Sequence, residues 1–214
     1  HRDLHSFPTR RSSDLAAYLP QIRYDLHGRT PVEYIVQNGK YMLDYHSKLV
    51  ASHPYSSKWY EWIVDKRPLW AYVDGELART GTVSSISSFG NPFVWWGGFV
   101  SILFCIYLGL FKKNTAALLI VISYFSMLLP WVGISRIAFI YHYFPCVPFL
   151  VLAVAIFMRY LNEERGVSVK WLYGFCGAAL LLFVLFYPVF SGYAVPKWYV
   201  KDVLTWFGSW TFIN

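Results

Sequence analysis

Charged residues are scarce in this sequence. Only 14% of its 214 residues are charged, whereas 56% are hydrophobic and 21% are aromatic. A soluble domain carries about 25% charged residues, so this composition is typical of a membrane protein with aromatic side chains at the headgroup level. The formal charge of +7 is spread along the chain without a Lys/Arg block, so a nucleic-acid partner is not expected.

Several familiar chemical patterns are also missing. The chain has three cysteines, Cys105, Cys146 and Cys176, which lie in or beside apolar runs and lack metal-ligand spacing. We therefore expect neither a disulfide framework nor a metal site. The sequence shows no glycine-rich phosphate loop and no Ser/His/Asp constellation, and its acidic residues are scattered without an acid–base pair. No cofactor is expected.

Four apolar runs are long enough to cross a membrane as helices, which takes about 20 residues. They cover residues 92–111, 115–134, 140–158 and 171–190. Short loops join them, so the predicted fold class is an all-α integral membrane protein with four transmembrane helices. An amphipathic segment on the outer face precedes these helices.

Basic residues near the span ends predict the orientation, because they favour the cytoplasmic side. The first and third loops carry most of them, namely Lys112, Lys113, Arg159, Arg165 and Lys170. The second loop carries only Arg136. We therefore expect a multi-pass protein of the cell membrane. The segment before Pro92, the second loop and the C-terminal tail should lie outside the cytoplasm.

The chain divides by composition into three sections. Residues 1–15 resemble the translation of a common sequencing adapter, so we expect the natural protein to begin upstream and this chain to be its C-terminal fragment. Residues 16–90 form the outer-face segment, and residues 91–214 form the four-span region with an aromatic tail.

A helix start is predicted at residues 30–33, Thr-Pro-Val-Glu, with Thr as N-cap and Glu closing a capping box. Apolar residues then repeat at a spacing near 3.6, at Val32, Ile35, Val36, Met42, Tyr45, Leu49 and Val50. This spacing predicts an amphipathic helix on the outer membrane surface, which Asn38-Gly39 interrupts.

Polar and aromatic side chains concentrate in two segments near the predicted span ends. The first runs from His53-Pro54-Tyr55 to Trp59, and its aromatic faces and polar tips suit a sugar ring or lipid headgroups. The alternative is a plain aromatic belt at the membrane surface.

The second segment contains Arg136 and the triplet Tyr141-His142-Tyr143. An Arg can clamp a phosphate with two hydrogen bonds, and His and Tyr can bind its remaining oxygens. Alternatively, Arg136 reaches to the headgroups as a membrane anchor beside interfacial Tyr side chains. Both interpretations stay open.

A third motif opens the first span, where Gly90-Asn91-Pro92 predicts a helix start and precedes Trp95-Trp96. In order and spacing, the three motifs resemble the C-terminal membrane region of protein O-mannosyltransferases. The resemblance covers roughly residues 41–214. Eukaryotic relatives carry a β-trefoil insert, and none precedes the motif here, so the chain resembles a bacterial member. One departure is Ile63, where the family often has Pro.

The resemblance implies the C-terminal part of an inverting GT-C glycosyltransferase. Such an enzyme transfers mannose from a polyprenyl-phosphate carrier (dolichyl-phosphate in eukaryotes) to Ser or Thr of an exported protein, without a metal. Its partners would be the carrier lipid, the protein acceptor and membrane lipids. The resemblance places carrier or sugar binding on six residues: Arg136, Tyr141, His142, His53, Tyr55 and Trp59.

The family places its catalytic acidic residue in a first outer loop near the N-terminus, so no residue here is assigned as the base. We expect the chain as printed to be inactive alone. Two alternatives remain: another lipid-linked sugar transferase of the GT-C fold, and a non-catalytic membrane subunit or transporter fragment. The segment from His53 to Trp59 argues against the first, and polar residues clustered at the span ends argue against a transporter fragment. The subunit alternative stays open.

Overall fold

The structure is a computed structural model that describes residues 28, 30–48, 52–74, 80–134 and 136–213. The adapter-like residues 1–15 lie outside the described residues. The chain divides into two compact units, His1–Ala51 and Ser52–Asn214.

In the first unit, helix α1 spans Pro31–Lys48. The predicted capping box is present, because the Thr30 N–H donates to Glu33 Oε2 at 2.9 Å and the Glu33 N–H donates to Thr30 Oγ1 at 3.3 Å. The predicted interruption at Asn38-Gly39 is wrong, since the helix continues through both residues. A single Gly costs a helix only about 1 kcal/mol, which the capped start and the remaining turns offset.

Apolar side chains of α1 are open to solvent within this unit, with Val32 70%, Val36 50% and Tyr45 51% exposed. The last two residues of the predicted apolar face, Leu49 and Val50, lie outside the described residues. The placement of this helix on a membrane surface stays a prediction.

The second unit contains the four predicted spans, each long and apolar enough to cross a membrane. Their α-helical parts are α3 (Pro92–Phe111), α4 (Thr115–Leu128), α5 (Val147–Arg165) and α6 (Lys170–Ser191). The four-helix prediction is therefore confirmed.

Two spans contain 3₁₀ turns that the sequence did not predict. Leu129–Gly133 continues α4, and Ile140–Cys146 leads into α5. Each turn contains a proline, Pro130 or Pro145, which has no N–H for the α-helical ladder. Helix α5 also extends beyond the predicted end at Met158 to Arg165, and Gly166 ends it in the left-handed region at φ 64°.

Helix α3 is the centre of the bundle and makes its most extensive contacts with α5. Its start is capped as predicted, because Asn91 Oδ1 accepts from the N–H groups of Phe93 and Val94. Close approach to α5 occurs at Gly98, where an added Cβ would lie 2.6 Å from Leu150 Cβ. Small residues at such crossings let two backbones pack closely within a membrane.

Short helical and strand elements in the remainder of the unit cover one end of the bundle. The helix α2 spans Trp59–Ile63. The strand β1 (Leu69–Val73) pairs antiparallel with β3 (Ser85–Ser88), and β2 (Thr82–Val83) pairs antiparallel with β4 (Val195–Pro196). These two small sheets are an addition to the predicted all-α architecture.

Three parts of the chain meet at this end, which we call the capped end. They are the described residues of the segment before α3 (52–74 and 80–90), the described residues of the second loop (134 and 136–139) and the tail 192–213. The Ser57 N–H donates to the Ala138 carbonyl at 2.9 Å, and Ser84 Oγ donates to the Gly192 carbonyl at 2.7 Å. The expectation that these parts lie on the same side of the bundle therefore agrees with the structure.

The tail packs into the capped end through an aromatic core. Its π-helical turn, Tyr199–Leu204, is followed by Trp210, whose side chain is only 1% exposed. The buried members of this core are Phe89, Phe186, Val189, Val200, Leu204, Trp210 and Phe212. The tail is thus part of the folded unit.

Candidate functional site

The two predicted polar segments meet at the capped end. The His53 ring lies edge-on to Phe139, with centroids 5.0 Å apart. Phe139 stacks on Tyr141 at 5.7 Å, and Tyr141 stacks on His142 at 4.3 Å. The Tyr55 ring also contacts the His53 ring, with centroids 5.8 Å apart. These five rings, together with Arg136, form a continuous surface that we call the mouth.

Backbone bonds hold the first segment of the mouth in a tight turn. The His53 carbonyl accepts from the Ser56 N–H at 3.0 Å, and His53 Nδ1 accepts from the Tyr55 N–H at 3.2 Å. Arg67 Nη1 donates to the carbonyls of Pro54 at 3.4 Å and Ser56 at 3.1 Å. The Arg67 guanidinium therefore stabilises the backbone of the turn that carries His53 and Tyr55.

The mouth is accessible at some residues and buried at others. His53 is exposed, whereas Tyr55, Arg136 and Tyr141 are half-buried. Arg136 is close enough to Tyr141 and His142 for its charge to act on both rings. Burial raises the pKa of Tyr55, so its phenol remains a hydrogen-bond donor at neutral pH. A permanent cation beside the Tyr141 phenol suits an anionic ligand with hydroxyl groups.

His142 is mostly buried, with 7% of its surface exposed. Its ring lies against Trp131 at 4.2 Å and stacks on Trp62 at 5.8 Å. Nδ1 lies 3.2 Å from the Phe139 nitrogen and 2.9 Å from the Phe139 carbonyl, and the tautomer decides which bond forms. One ring nitrogen thus caps the turn that begins at Ile140, and only Nε2 remains for a ligand.

Two neighbouring aromatic residues have structural positions. Tyr143 is fully buried, and its hydroxyl lies 2.7 Å from the hydroxyl of Tyr124 inside the bundle. Trp59 is half-buried and packs on the bundle core instead of joining the ring surface. The prediction of a sugar-binding role for Trp59 stays a prediction, and the structure does not bring it together with the mouth residues.

The paired tryptophans of α3 hold the end of α2. Trp95 Nε1 donates to the Trp62 carbonyl at 2.7 Å, and Trp96 Nε1 donates to the Val64 carbonyl at 3.2 Å. These bonds agree with the structural interpretation of this motif. Trp62 in turn stacks on His142, so α3 supports the wall of the mouth.

Glu61 is the acidic residue nearest in sequence to the aromatic motif, and its carboxylate is already engaged. Oε2 accepts from the Lys58 N–H at 2.9 Å, and Oε1 pairs with Lys66 Nζ at 2.9 Å. Burial raises its pKa, but the Lys58 N–H together with the charges of Lys66 and Arg67 outweighs this effect, so the pKa is lowered. A paired carboxylate with a low pKa is a poor general base.

The unusual environment of Asp65 was not predictable from the sequence, in which this residue is one of several scattered acidic residues. In the structure this residue is fully buried, with its Oδ1 atom lacking any hydrogen-bond partner among the described residues. It lies at the end of α2, behind the mouth. Within the described ranges, no group of three His, Cys, Asp or Glu side chains could hold a metal ion.

Comparison with known proteins points to the family that the sequence motifs resemble. A family model described as the C-terminal four-TMM region of protein-O-mannosyltransferase matches residues 32–116. A polyprenol-phosphate-mannose–protein mannosyltransferase of Corynebacterium glutamicum is 25% identical over 79% of this chain and 35% of its own length. One of that name from Mycobacterium tuberculosis is 22% identical over 74% of this chain and 32% of its own length. The chain therefore spans about a third of the length of these curated relatives.

The fold also has a counterpart among solved structures. The Saccharomyces cerevisiae protein O-mannosyltransferase Pmt1-Pmt2 complex bound to the sugar donor matches with a TM-score of 0.67. This match has 18% sequence identity and covers 84% of this chain and 26% of the yeast chain. The motifs, the family model, the relatives and the fold thus agree, and they confirm the resemblance of this chain to the C-terminal four-span membrane region of the bacterial protein O-mannosyltransferases.

Proposed function

We propose that this chain forms the C-terminal membrane part of a glycosyltransferase that moves mannose from a polyprenyl-phosphate carrier to Ser or Thr of exported proteins. The observation that carries the proposal is the mouth, where the half-buried cation Arg136 adjoins the ring surface from His53 to His142. The names of the relatives, which state a polyprenol-phosphate-mannose donor and a protein acceptor, support the same assignment.

In the proposed reaction the mouth binds the carrier. The Arg136 fork holds two oxygens of the carrier phosphate, and Tyr141 and His142 Nε2 hydrogen-bond to the remaining oxygen or the sugar. The rings of His53 and Tyr55 pack on the apolar face of the mannose. The acceptor hydroxyl then attacks the anomeric carbon and loses its proton to a carboxylate. The bond from that carbon to the phosphate oxygen breaks, and the charged phosphate leaves beside Arg136.

Transfer assays on the full-length protein in lipid nanodiscs test this proposal. Polyprenyl-phosphate carrying mannose should label a Ser/Thr peptide, and the same peptide with Ala at those positions should remain unlabelled. Transfer from a polyprenyl-phosphate carrying another sugar, or to a lipid instead of the peptide, would favour a different lipid-linked sugar transferase. No transfer with any carrier, in protein that binds none of them, would favour a non-catalytic subunit.

We further propose that the capped end faces outward from the cell membrane, since the opposite end carries most of the loop cations. Two exposed carboxylates make matched labelling sites: Glu164 at the end of α5 and Asp202 in the tail. With the exposed Cys176 replaced by Ser, Asp202→Cys should react with an impermeant thiol reagent in intact cells. Glu164→Cys should react only after the membrane is opened. The reverse pattern would refute the orientation.

A further inference from the structure

Asp65 is the meeting point of three parts of the capped end. Its N–H donates to the Trp62 carbonyl at 3.1 Å, at the end of α2. Its Oδ2 accepts from the Gly90 N–H at 3.2 Å, just before α3 begins. Its carbonyl accepts from Trp210 Nε1 at 2.7 Å, in the C-terminal tail. One residue thus ties the outer segment, the first span and the tail together.

The fit around this residue leaves little freedom. Asp65 adopts a left-handed backbone at φ 53°, which Asp and Asn tolerate better than other residues with a side chain. A Cβ at Gly90 would collide with the Trp95 ring, so only Gly brings its N–H to the carboxyl. The Trp62 carbonyl that receives the Asp65 N–H also receives Trp95 Nε1, so these bonds share one acceptor.

The surroundings favour the neutral carboxylic acid. The side chain is fully buried, Oδ2 has one donor, and Oδ1 has no partner among the described residues. Burial raises the pKa of Asp65 from its usual 3.8 to about 8, and the Gly90 N–H only partly opposes this. Since Oδ2 accepts the Gly90 N–H, the proton of the neutral acid belongs on Oδ1.

No nearby cation is placed to neutralise an ionised Asp65 among the described residues. On its own segment, Lys66 pairs with Glu61, and Arg67 bonds to backbone carbonyls of the turn. The contacts from the first span and from the tail come from Gly90 and Trp210, which do not titrate. An ionised Asp65 would therefore lack a counter-charge among the described residues.

We propose that Asp65 is a positioning residue whose three hydrogen bonds lock the outer segment to the first span and the tail. Loss of its carboxyl proton would place a charge without a counter-charge at this buried position, and this opens the lock and releases the mouth. The connection to the mouth is Trp62, which accepts the Asp65 N–H and stacks on His142. Trp62 Nε1 also donates to Ser57 Oγ at 3.0 Å, and the Ser57 N–H bonds to the loop at Ala138. This proposal takes only one point from the proposed function, which is the identity of the ligand that the mouth binds.

The sign of the pH effect follows from the direction of the shift. A carboxyl whose pKa is raised in the folded state stabilises that state fully below about pH 4 and loses its contribution as the pH rises to about 8. Each pH unit in that window lowers the ratio of folded to unfolded protein about tenfold. Above about pH 8 the folded protein itself ionises at Asp65, and the lock should open.

The decisive variant is Asp65→Asn, which stays neutral at all pH values, accepts the Gly90 N–H and tolerates the left-handed backbone. The full-length protein should show an infrared band of a protonated carboxylic acid that disappears near pH 8 and is missing in Asp65→Asn. The melting temperature of the unaltered full-length protein should fall relative to that of Asp65→Asn as the pH rises from about 5 to about 8. The exposed carboxylate variant Asp202→Asn should behave as the unaltered protein does.

Opening of the mouth can be measured by thiol labelling, without the mannose-transfer assay. The probe is Ser57→Cys in a Cys176→Ser background, because Ser57 is 7% exposed and packed on the second loop. Above about pH 8, thiol labelling should be at least tenfold faster with Asp65 present than with Asp65→Asn at the same pH, which cancels the titration of the thiol itself. Equal labelling rates would overturn the positioning role. The absence of the infrared band at pH 6 would overturn the neutral acid. Failure of the transfer assay alone would count against the proposed function and leave both of these results intact.

Discussion

Replacing Arg136 by Lys in the full-length protein should lower the use of the mannose carrier about tenfold to a hundredfold, although the positive charge survives. Arg136 is half-buried, and its charge acts on Tyr141 and His142. In the proposed function its planar fork binds two phosphate oxygens together. An ammonium group cannot make that paired contact. Loss of one charge-assisted hydrogen bond costs about 1.5–3 kcal/mol, which gives the stated range.

The matched control is Arg159→Lys, the same substitution at the opposite end of the bundle. Arg159 is exposed and pairs with Glu163 on the surface at 2.9 Å, so this change should leave transfer unaltered. The measurement is the rate of mannose transfer against carrier concentration, with membrane insertion checked in parallel. If Arg136→Lys behaves like Arg159→Lys, then Arg136 anchors the protein in the membrane and does not bind the carrier.

Gly98→Val should prevent the formation of a stable bundle or lower its melting temperature severely. An added Cβ at Gly98 would lie 2.6 Å from Leu150 Cβ and 3.3 Å from Leu150 Cα, so α3 and α5 must move apart. Both helices are buried at this crossing, and Leu150 is 0% exposed. Overpacking of a tight core costs about 1–3 kcal/mol, and the branched Val side chain adds to this at a backbone contact.

Gly177→Val on α6 is the control, because it makes the same change within a spanning helix but meets no atom within 4 Å. Melting of the detergent-solubilised protein, followed by size-exclusion chromatography, compares the two variants. Gly177→Val should elute as a single folded species near the normal melting temperature, and Gly98→Val should aggregate or melt much earlier. Equal melting temperatures would show that the α3–α5 crossing is looser than the structure indicates.

The membrane part of the fold could be predicted from local patterns because each span is a property of one continuous segment. Residues 92–111 were predicted as a helix and form α3 with the same bounds. Asn91 and Pro92 define its start, and the run of apolar residues defines its length. The predicted capping box at Thr30 and Glu33 formed for the same reason, since both partners lie within one turn.

The irregular parts were less predictable, because local sequence patterns do not decide them. Asn38-Gly39 could have ended α1, but a capped helix of this length absorbs one Gly. The pairing of β2 with β4 joins Val83 to Val195, which are distant in sequence and carry no hairpin signal. Only the packing of the tail on the capped end brings these two strands together.

For the candidate site, the sequence by itself determined which side chains could act: the Arg136 to His142 segment, the His53 to Trp59 segment and the four spans that carry them. The tertiary structure decided which of these side chains meet. It brought His53 against Phe139 and placed Trp59 on the bundle core. It also buried Asp65 between α2, Gly90 and Trp210. The physical reason is that residue chemistry and helix periodicity are local, whereas burial and the pKa shift of Asp65 depend on neighbours supplied by distant segments.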